Sequence, residues 1–171
     1  MRIMSTRLAY ALGSLVCLGL LVFALYLQYV EHQEPCPLCI LQRIVFLAMM
    51  LLFIVAAVHG PGRRGATGYS TVIALLGLVG TAIATRHVWL QHLPADQVPA
   101  CGPGLEYLLK KLPLTDVLGK VLAGSGECAE VGWTFLGLSI AGWSLVWFVV
   151  LALYAVYVAV KVRSSSHASA V

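Results

Sequence analysis

The sequence predicts an all-α integral membrane protein: a four-helix bundle with a short amphipathic interfacial helix in its second outer loop. Two observations predict this fold class. The chain has 171 residues, of which 60% are hydrophobic and only 11% are charged, and a soluble domain of this size cannot bury so much apolar surface. Four apolar stretches also have about the 20 residues that a helix needs to cross a bilayer. They cover residues 8–28, 40–58, 69–90 and 141–160.

The first apolar stretch follows Arg2 and Arg7, as the apolar region of a secretory signal peptide would. It is longer than such a region, and no cleavage site of small residues follows it. We therefore predict that it is retained as the first spanning helix. On this interpretation residues 1–163 form one membrane domain, and the small, polar tail 164–171 is disordered in the cytoplasm.

The charged residues of the connecting segments separate by sign. Basic residues without any acid precede the first stretch, lie between the second and third, and follow the fourth, whereas all seven acids fall in residues 29–39 and 91–140. Because basic residues mark the cytoplasmic side of a membrane, both termini and the turn at Arg63 and Arg64 are predicted to be cytoplasmic. The two other loops then face the opposite side, which is a bacterial periplasm or another oxidising space. The net charge of +4 therefore marks topology rather than nucleic-acid binding.

The long outer loop contains a helical pattern of its own. In LEYLLKKLPLTDVLGKVL the leucines and valines recur at helical spacing, with an interruption at Pro113. A helix of this kind either lies flat on the bilayer surface or packs on its own bundle, and the pattern fits both. The glycine-containing segments CGPG and GSGEC surround Cys101 and Cys128 and suit cysteines that change partners.

Four of the five cysteines lie in or beside the outer loops. In an oxidising compartment Cys36, Cys39, Cys101 and Cys128 can form disulfides, and four cysteines allow three pairings. One pair per loop, Cys36–Cys39 and Cys101–Cys128, is the simplest expectation. Cys17 lies in the middle of the first apolar stretch and is predicted to be an ordinary buried side chain.

The motif CPLC, from Cys36 to Cys39, is typical of a redox-active or metal-binding pair. A disulfide within it closes a ring too small to stabilise the fold much, so redox chemistry is favoured over an inert disulfide. Zinc is disfavoured, because a tetrathiolate site usually has two such motifs, whereas Cys101 and Cys128 stand far apart.

Arg43 follows Cys39 by four residues, on the same helix face and about one turn inside the predicted span. An arginine at this depth is costly unless it has a partner or a function, although one so near the helix end can also extend to the interface. Its charge would stabilise a thiolate at Cys39 or the negative charge that a reduced acceptor acquires.

The third apolar stretch ends in TRHVWLQHLP, at the same membrane level as Cys39. His87 and Gln91 share a face there and could hydrogen-bond the carbonyl oxygens of a flat, lipid-soluble ring. Taken alone, the residues favour ordinary interfacial polarity over such a site. Trp89 and Trp133 are predicted to be interfacial aromatic residues rather than parts of a site.

Together these features resemble the disulfide bond formation protein B (DsbB) family, over nearly the whole chain. The CPLC pair leading to Arg43, the second cysteine pair in the long loop and the segment GECAEVGWTFLGL carry the resemblance. It implies a bacterial inner-membrane oxidoreductase that reoxidises a periplasmic, DsbA-like thioredoxin-fold oxidase. The electrons pass to membrane quinone, either ubiquinone or menaquinone, as in the route that keeps the periplasm oxidising.

The resemblance also implies a role for each cysteine. Cys101 would be attacked by the reduced partner and form a mixed disulfide with it. Cys128 would then form a disulfide with Cys36, between the two loops. Cys39 would be freed as a thiolate facing the quinone.

The same resemblance places Arg43 beside the quinone and His87 and Gln91 close to it in the third span, which favours a site over interfacial polarity. Cys17 is a departure, since it stands outside the four-cysteine framework. Two other functions stay open. One is a reductase like the vitamin K epoxide reductases, moving electrons the other way, and the other is a non-enzymatic four-span protein with structural disulfides.

Overall fold

The structure is a computed structural model that describes residues 2–94, 96–99, 110–111 and 113–164. Four of its helices are long and apolar enough to cross a membrane, which confirms the predicted bundle of four spans and makes the chain a multi-pass membrane protein. The helices are α1 (Arg2–Tyr29), α2 (Pro37–His59), α3 (Arg63–Gln91), α4 (Leu114–Ala123), α5 (Gly126–Ala129) and α6 (Ile140–Ser164).

Helix α2 has clear signals at both ends. Pro37 occupies its first turn, where a missing N–H costs nothing, and the sulfur of Cys36 accepts a hydrogen bond from the N–H of Cys39 at 3.3 Å. At the other end Gly60 adopts a left-handed φ of 56° and donates its N–H to the carbonyl of Ala56. These caps fix where the CPLC motif lies: at the mouth of α2.

The bundle is held by the packing of α3 along α6, of α1 along α2 and of α2 along α3. Gly77 allows α3 to approach α6 closely, since a Cβ atom there would lie 2.8 Å from the Cβ of Ala152. The rings of Phe46 and Phe148 stack with centroids 4.0 Å apart and join α2 to α6.

The outer faces of the helices remain apolar. Leu15, Leu78 and Leu153 are each at least 60% exposed, and many other leucines and valines share this exposure. So large an apolar surface is stable in lipid but not in water. The bundle therefore exposes many of its leucines and valines, as a surface in contact with lipid allows.

Helix α4 packs on its own bundle, which is the second of the two arrangements that its pattern allows. Val117 and Val121 are buried in the common hydrophobic core, which also contains the start of α2. The guanidinium group of Arg86, on α3, donates to the carbonyl of Ala123 at 2.9 Å and so holds the end of α4. Residues 105–109 and 112, in the first half of the pattern, lie outside the described residues.

A small hairpin joins α5 to α6 and adds a feature that the all-α prediction did not include. Its strands are β1 (Thr134–Phe135) and β2 (Leu138–Ser139), paired antiparallel. Leu136 and Gly137 both have positive φ, 52° and 79°, as a tight two-residue hairpin turn requires. At the other end of α6, Ser164 is helical, although the tail 164–171 was predicted to be disordered, and the rest of that tail, residues 165–171, lies outside the described residues.

Candidate functional site

The mouth of α2 brings together the two cysteines of the CPLC motif. The sulfurs of Cys36 and Cys39 are 2.9 Å apart, as free thiols. Cys36 precedes the helix and Cys39 lies in its first turn, so a short rotation of either side chain suffices to bring the sulfurs to bonding distance.

The long outer loop delivers a third sulfur to the same place. Helix α5 carries Cys128, which is fully buried and hydrogen-bonds the side chain of Cys36 and the main chain of Leu38. Cys36 therefore lies between Cys39 on one side and Cys128 on the other. Cys101 lies outside the described residues, as does the expected Cys101–Cys128 pairing.

Among the described residues, the two cysteines outside the spanning helices, Cys36 and Cys128, resist ionisation. The hydrogen bond from Cys128 favours a thiolate at Cys36. The hydrogen bond to Cys39, burial and the charge of a Cys39 thiolate outweigh it, and the pKa of Cys36 rises to about 12. The hydrogen bond to Cys36 and burial raise the pKa of Cys128 as well. At neutral pH the reduced forms of these two residues are therefore thiols.

Cys36 and Cys39 also line a cavity of about 450 Å³ at this end of the bundle. The predicted site residues Arg43, His87 and Gln91 line it too. Most of the remaining wall is apolar, and its aromatic side chains are Phe23, Phe46, Trp133, Phe135, Trp143 and Trp147. The fold thus gathers residues from all four spanning helices and a hairpin around one space.

Trp133 corrects an expectation, since it was predicted to be an interfacial residue and instead forms part of the cavity wall. It stacks on Phe135 with centroids 5.8 Å apart and meets the ring of Phe23 edge-on at 5.5 Å. The hairpin causes this placement by folding the chain back over the cavity. Trp143 and Trp147, which no motif singled out, follow on the first turns of α6.

Arg43 is held by two oxygens of α1. Its guanidinium group donates to the side-chain oxygen of Gln28 and, at 3.0 Å, to the carbonyl of Ala24. Because both acceptors are uncharged, they orient the group without cancelling its positive charge. Gln28 was not among the predicted residues, since its role depends on how α1 packs against α2.

His87 and Gln91 differ in their surroundings, although they share a face of α3. His87 is 3% exposed, with Nδ1 lying 3.1 Å from the amide nitrogen of Gln42 and Nε2 lying 3.7 Å from the sulfur of Cys36. Gln91 is half-buried, and its side-chain oxygen accepts a hydrogen bond from the hydroxyl of Ser139 at 2.6 Å. Gln42 was also missed, although it is buried and adjacent to Arg43.

Among the described residues, one group has the composition of a metal site: the ligand atoms of Cys36, Cys39 and His87 lie within 4.8 Å of one another. Zinc accepts such ligands. However, the charge of Arg43 acts on Cys39, and a second cation at this position would be repelled. The arrangement is better suited to an anionic sulfur than to a metal ion.

Comparisons with known proteins agree on one family. A family model described as disulfide bond formation protein DsbB matches residues 6–158. Three similar relatives are each named disulfide bond formation protein B. The one from Hahella chejuensis is 56% identical over 146 residues, which cover 85% of this chain and 88% of the relative. The one from Nitrosococcus oceani is 51% identical over 154 residues (90% and 91%), and that from Methylococcus capsulatus is 47% identical over 154 residues (90% and 94%).

Proposed function

Since the chain belongs to the disulfide bond formation protein DsbB family, and is thus a disulfide oxidoreductase of the membrane, we propose that it reoxidises a periplasmic, DsbA-like dithiol oxidase with membrane quinone as electron acceptor. The observation that carries this proposal is the cavity lined by Cys39, Arg43 and Gln91. It joins a reactive sulfur, a positive charge and apolar aromatic walls in one space beside the lipid.

The order of the sulfurs supports a relay. Cys128 neighbours Cys36, and Cys36 neighbours Cys39, which lines the cavity. In the proposed sequence the reduced partner first attacks Cys101 of a Cys101–Cys128 disulfide. Cys128 then attacks Cys36 of the Cys36–Cys39 disulfide, and Cys39 leaves as a thiolate. Each exchange forms one S–S bond and breaks another, so two electrons move toward the cavity without any net oxidation of the protein.

The distribution of charge supports the same direction. The raised pKa values of Cys36 and Cys128 disfavour negative charge on the aqueous side of the relay. Arg43 places positive charge next to Cys39, on the cavity side. A thiolate is therefore stabilised where the acceptor binds, and a thiolate is the form that attacks a disulfide or an electron-poor ring.

The cavity suits a quinone in size and in chemistry. Its volume lies within the usual range of small-molecule sites, about 300–1,000 Å³, which are mostly apolar with a few polar groups. Arg43, His87 and Gln91 are the proposed quinone-binding residues, and the aromatic walls offer flat faces to a flat ring. Ubiquinone or menaquinone would supply the chemistry by accepting two electrons and two protons.

The proposed location is the bacterial inner membrane, with both termini cytoplasmic and the cysteine loops periplasmic. Arg63 and Arg64 at the start of α3 lie beside Arg163 at the end of α6, around a shared pocket. These three basic residues thus meet at the end of the bundle opposite the CPLC motif. This arrangement supports the orientation that the charges of the sequence predict.

The test is quinone reduction by the purified, full-length protein supplied with a reduced thioredoxin-fold partner. We expect one quinone reduced for each partner disulfide formed. Cys39→Ser should abolish quinone reduction, whereas Cys17→Ala, which changes a cysteine buried within α1, should retain it. No quinone reduction with any of several partners would contradict the proposal, and strongly reducing potentials for both cysteine pairs would favour electron flow in the opposite direction.

A further inference from the structure

Gln42 and His87 form a buried pair that borders the relay. Both side chains are 3% exposed. The amide nitrogen of Gln42 lies 3.1 Å from Nδ1 of His87, and Nε2 of the same ring lies 3.7 Å from the sulfur of Cys36. Because buried polar groups form hydrogen bonds with complementary partners, these contacts decide which ring nitrogen carries the proton.

Two contacts select the same tautomer. An amide nitrogen can only donate, so Nδ1 of His87 accepts from Gln42 and carries no proton. The ring also lies near the main chain of Cys128, whose N–H is already donated to the carbonyl of Ser125 at 2.9 Å. Only the carbonyl oxygen of Cys128 is therefore free to interact with the ring, and an oxygen favours a ring nitrogen that carries a proton. Nε2 therefore carries the proton.

We propose that Gln42 holds His87 in the Nε2–H tautomer, so that the ring donates a hydrogen bond to the sulfur of Cys36 when that sulfur becomes negatively charged. This inference rests on the Cys36–Cys128 disulfide of the proposed relay, which leaves Cys36 as a thiolate when another thiolate attacks the sulfur of Cys128. His87 touches the reacting sulfur and is a catalytic residue. Gln42 acts through His87 and is a positioning residue.

The step needs no proton transfer. A thiolate attacks the sulfur of Cys128 in a Cys36–Cys128 disulfide, a new S–S bond forms at Cys128, and the old bond breaks with its electron pair left on Cys36. The N–H bond of the neutral His87 ring stays intact and stabilises the departing thiolate. Since thiols of lower pKa leave faster, and the surroundings raise the pKa of Cys36 to about 12, such a donor accelerates a step that is otherwise slow.

The cavity then has two parts with different roles. Both nitrogens of His87 are engaged by protein groups, on the side where Cys36 and Cys128 meet. Arg43 and Gln91 line the cavity without contacting these sulfurs through any hydrogen bond of the described residues. His87 then acts on sulfur exchange as well as bordering the proposed quinone site, and Arg43 and Gln91 act on the electron acceptor alone.

The first test isolates the exchange in the full-length protein in detergent. When Cys39→Ser and Cys101→Ser are combined, a Cys36–Cys128 disulfide can be formed and its reduction by dithiothreitol followed. Adding Gln42→Leu should slow this reduction about tenfold, the rate equivalent of losing one hydrogen bond to a charged group. An unchanged rate would overturn the proposal.

The matched control is Thr85→Val in the same background. Thr85 lies on α3 two residues before His87, is exposed, and donates its hydroxyl to the carbonyl of Thr81 at 2.7 Å within its own helix. The substitution removes a polar group at the same membrane level without touching the cavity. The rate of reduction should equal that of the parent, and a tenfold loss here would show that any polar-to-apolar change in this region has the effect.

Gln42→Glu provides a readout that a purely structural role would not alter. A carboxylate must accept from Nδ1–H, so Nε2 keeps a proton only while the ring is an imidazolium. The rate of this variant divided by that of the parent should fall as pH rises from about 6 to 8, through the range in which histidine titrates. The ratio cancels the titration of the reductant and of the Cys36 and Cys128 thiols that face the ring. A ratio independent of pH would count against the tautomer.

A last measurement does not depend on the rate of thiol–disulfide exchange in any variant. The ¹⁵N spectrum of the imidazole, assigned by its loss in His87→Phe, should show a protonated Nε2 and a bare Nδ1 in the wild-type protein. The opposite tautomer overturns the inference. If the Cys36–Cys128 disulfide does not form, the relay itself is wrong and the inference falls with it. If it forms and Gln42→Leu has no effect, the inference alone is wrong.

Discussion

Arg43 and Arg86 lie near the same end of neighbouring helices, yet the protein uses their charges differently. Arg43 turns into the bundle, where Gln28 and the carbonyl of Ala24 orient it and it lines the cavity. Arg86 turns to the outside of α3, where it donates to the last carbonyls of α4 and lies over the ring of Trp89 at 4.3 Å. The two arginines differ because of the acceptor groups that each guanidinium meets, and not because of the helix to which each belongs.

The comparison teaches how an arginine at a membrane interface becomes available for chemistry. The carbonyls at the end of α4 carry the negative pole of that helix, so the charge of Arg86 is already compensated. The two oxygens that hold Arg43 belong to an amide side chain and to a single peptide group within α1, and they leave its charge free for an anion in the cavity. Substitutions at Arg43 should therefore affect catalysis, whereas those at Arg86 should affect the stability of α4.

The largest effect is expected from Arg43→Ala. Removing a positive charge that stabilises a reduced acceptor should lower kcat/KM for quinone about 100-fold, the usual cost of losing such an electrostatic group. Thiol exchange with the reduced partner, measured in a single turnover without quinone, should change much less. Arg43→Lys is the matched control, since it keeps the charge but cannot donate to both oxygens of α1. Its kcat/KM for quinone should lie between the values of the wild type and of Arg43→Ala.

Equal loss of quinone reduction and of thiol exchange in Arg43→Ala would mean that the arginine is structural. The difference from Arg86 would then be one of position only. The sedimentation and thermal unfolding of the detergent-solubilised variant would show whether the bundle itself had changed.

A smaller effect is expected when the support of Arg43 is altered. Gln28→Leu removes one hydrogen bond and leaves the charge, so kcat/KM for quinone should fall about tenfold or less. Gln28→Glu keeps an acceptor in place but introduces a negative charge beside Arg43, and it should cost more than Gln28→Leu. The reverse order, with Gln28→Leu the more damaging, would indicate that orientation matters more than free charge.

The sequence predicted which residues line the cavity better than it predicted their contacts. Cys36, Cys39 and Arg43, which the spacing in CPLC and LQR brought together, all line the cavity because they belong to one helix start. His87 and Gln91 reach the same cavity because α3 packs along α2 with its polar end at the same level. Local periodicity is enough for inferences of this kind.

Contacts between helices were out of reach of such reasoning. Gln42 and Gln28 each look like an interfacial amide in the sequence, and their roles follow from the rotation of α2 toward α3 and of α1 toward α2. Trp133 was assigned to the interface because nothing local reveals that a hairpin turns at Leu136 and Gly137 and covers the cavity. A signal was present in the turn itself, since glycine is typical of tight hairpin turns.

The smallest effect is expected from Arg86→Ala. The substitution removes the donors at the end of α4 and should destabilise that helix by about 1 kcal/mol, the usual contribution of a cation at a helix C-terminus. Amide hydrogen exchange should become faster in α4, whose Val117 and Val121 still pack on the bundle, while quinone reduction stays close to that of the wild type. Arg86→Lys should restore most of the protection because one donor suffices. If amide hydrogen exchange in α4 is unchanged in Arg86→Ala, the buried valines alone hold this helix. The two arginines then differ because Arg43 is needed for quinone reduction, whereas Arg86 is needed neither for quinone reduction nor for the stability of α4.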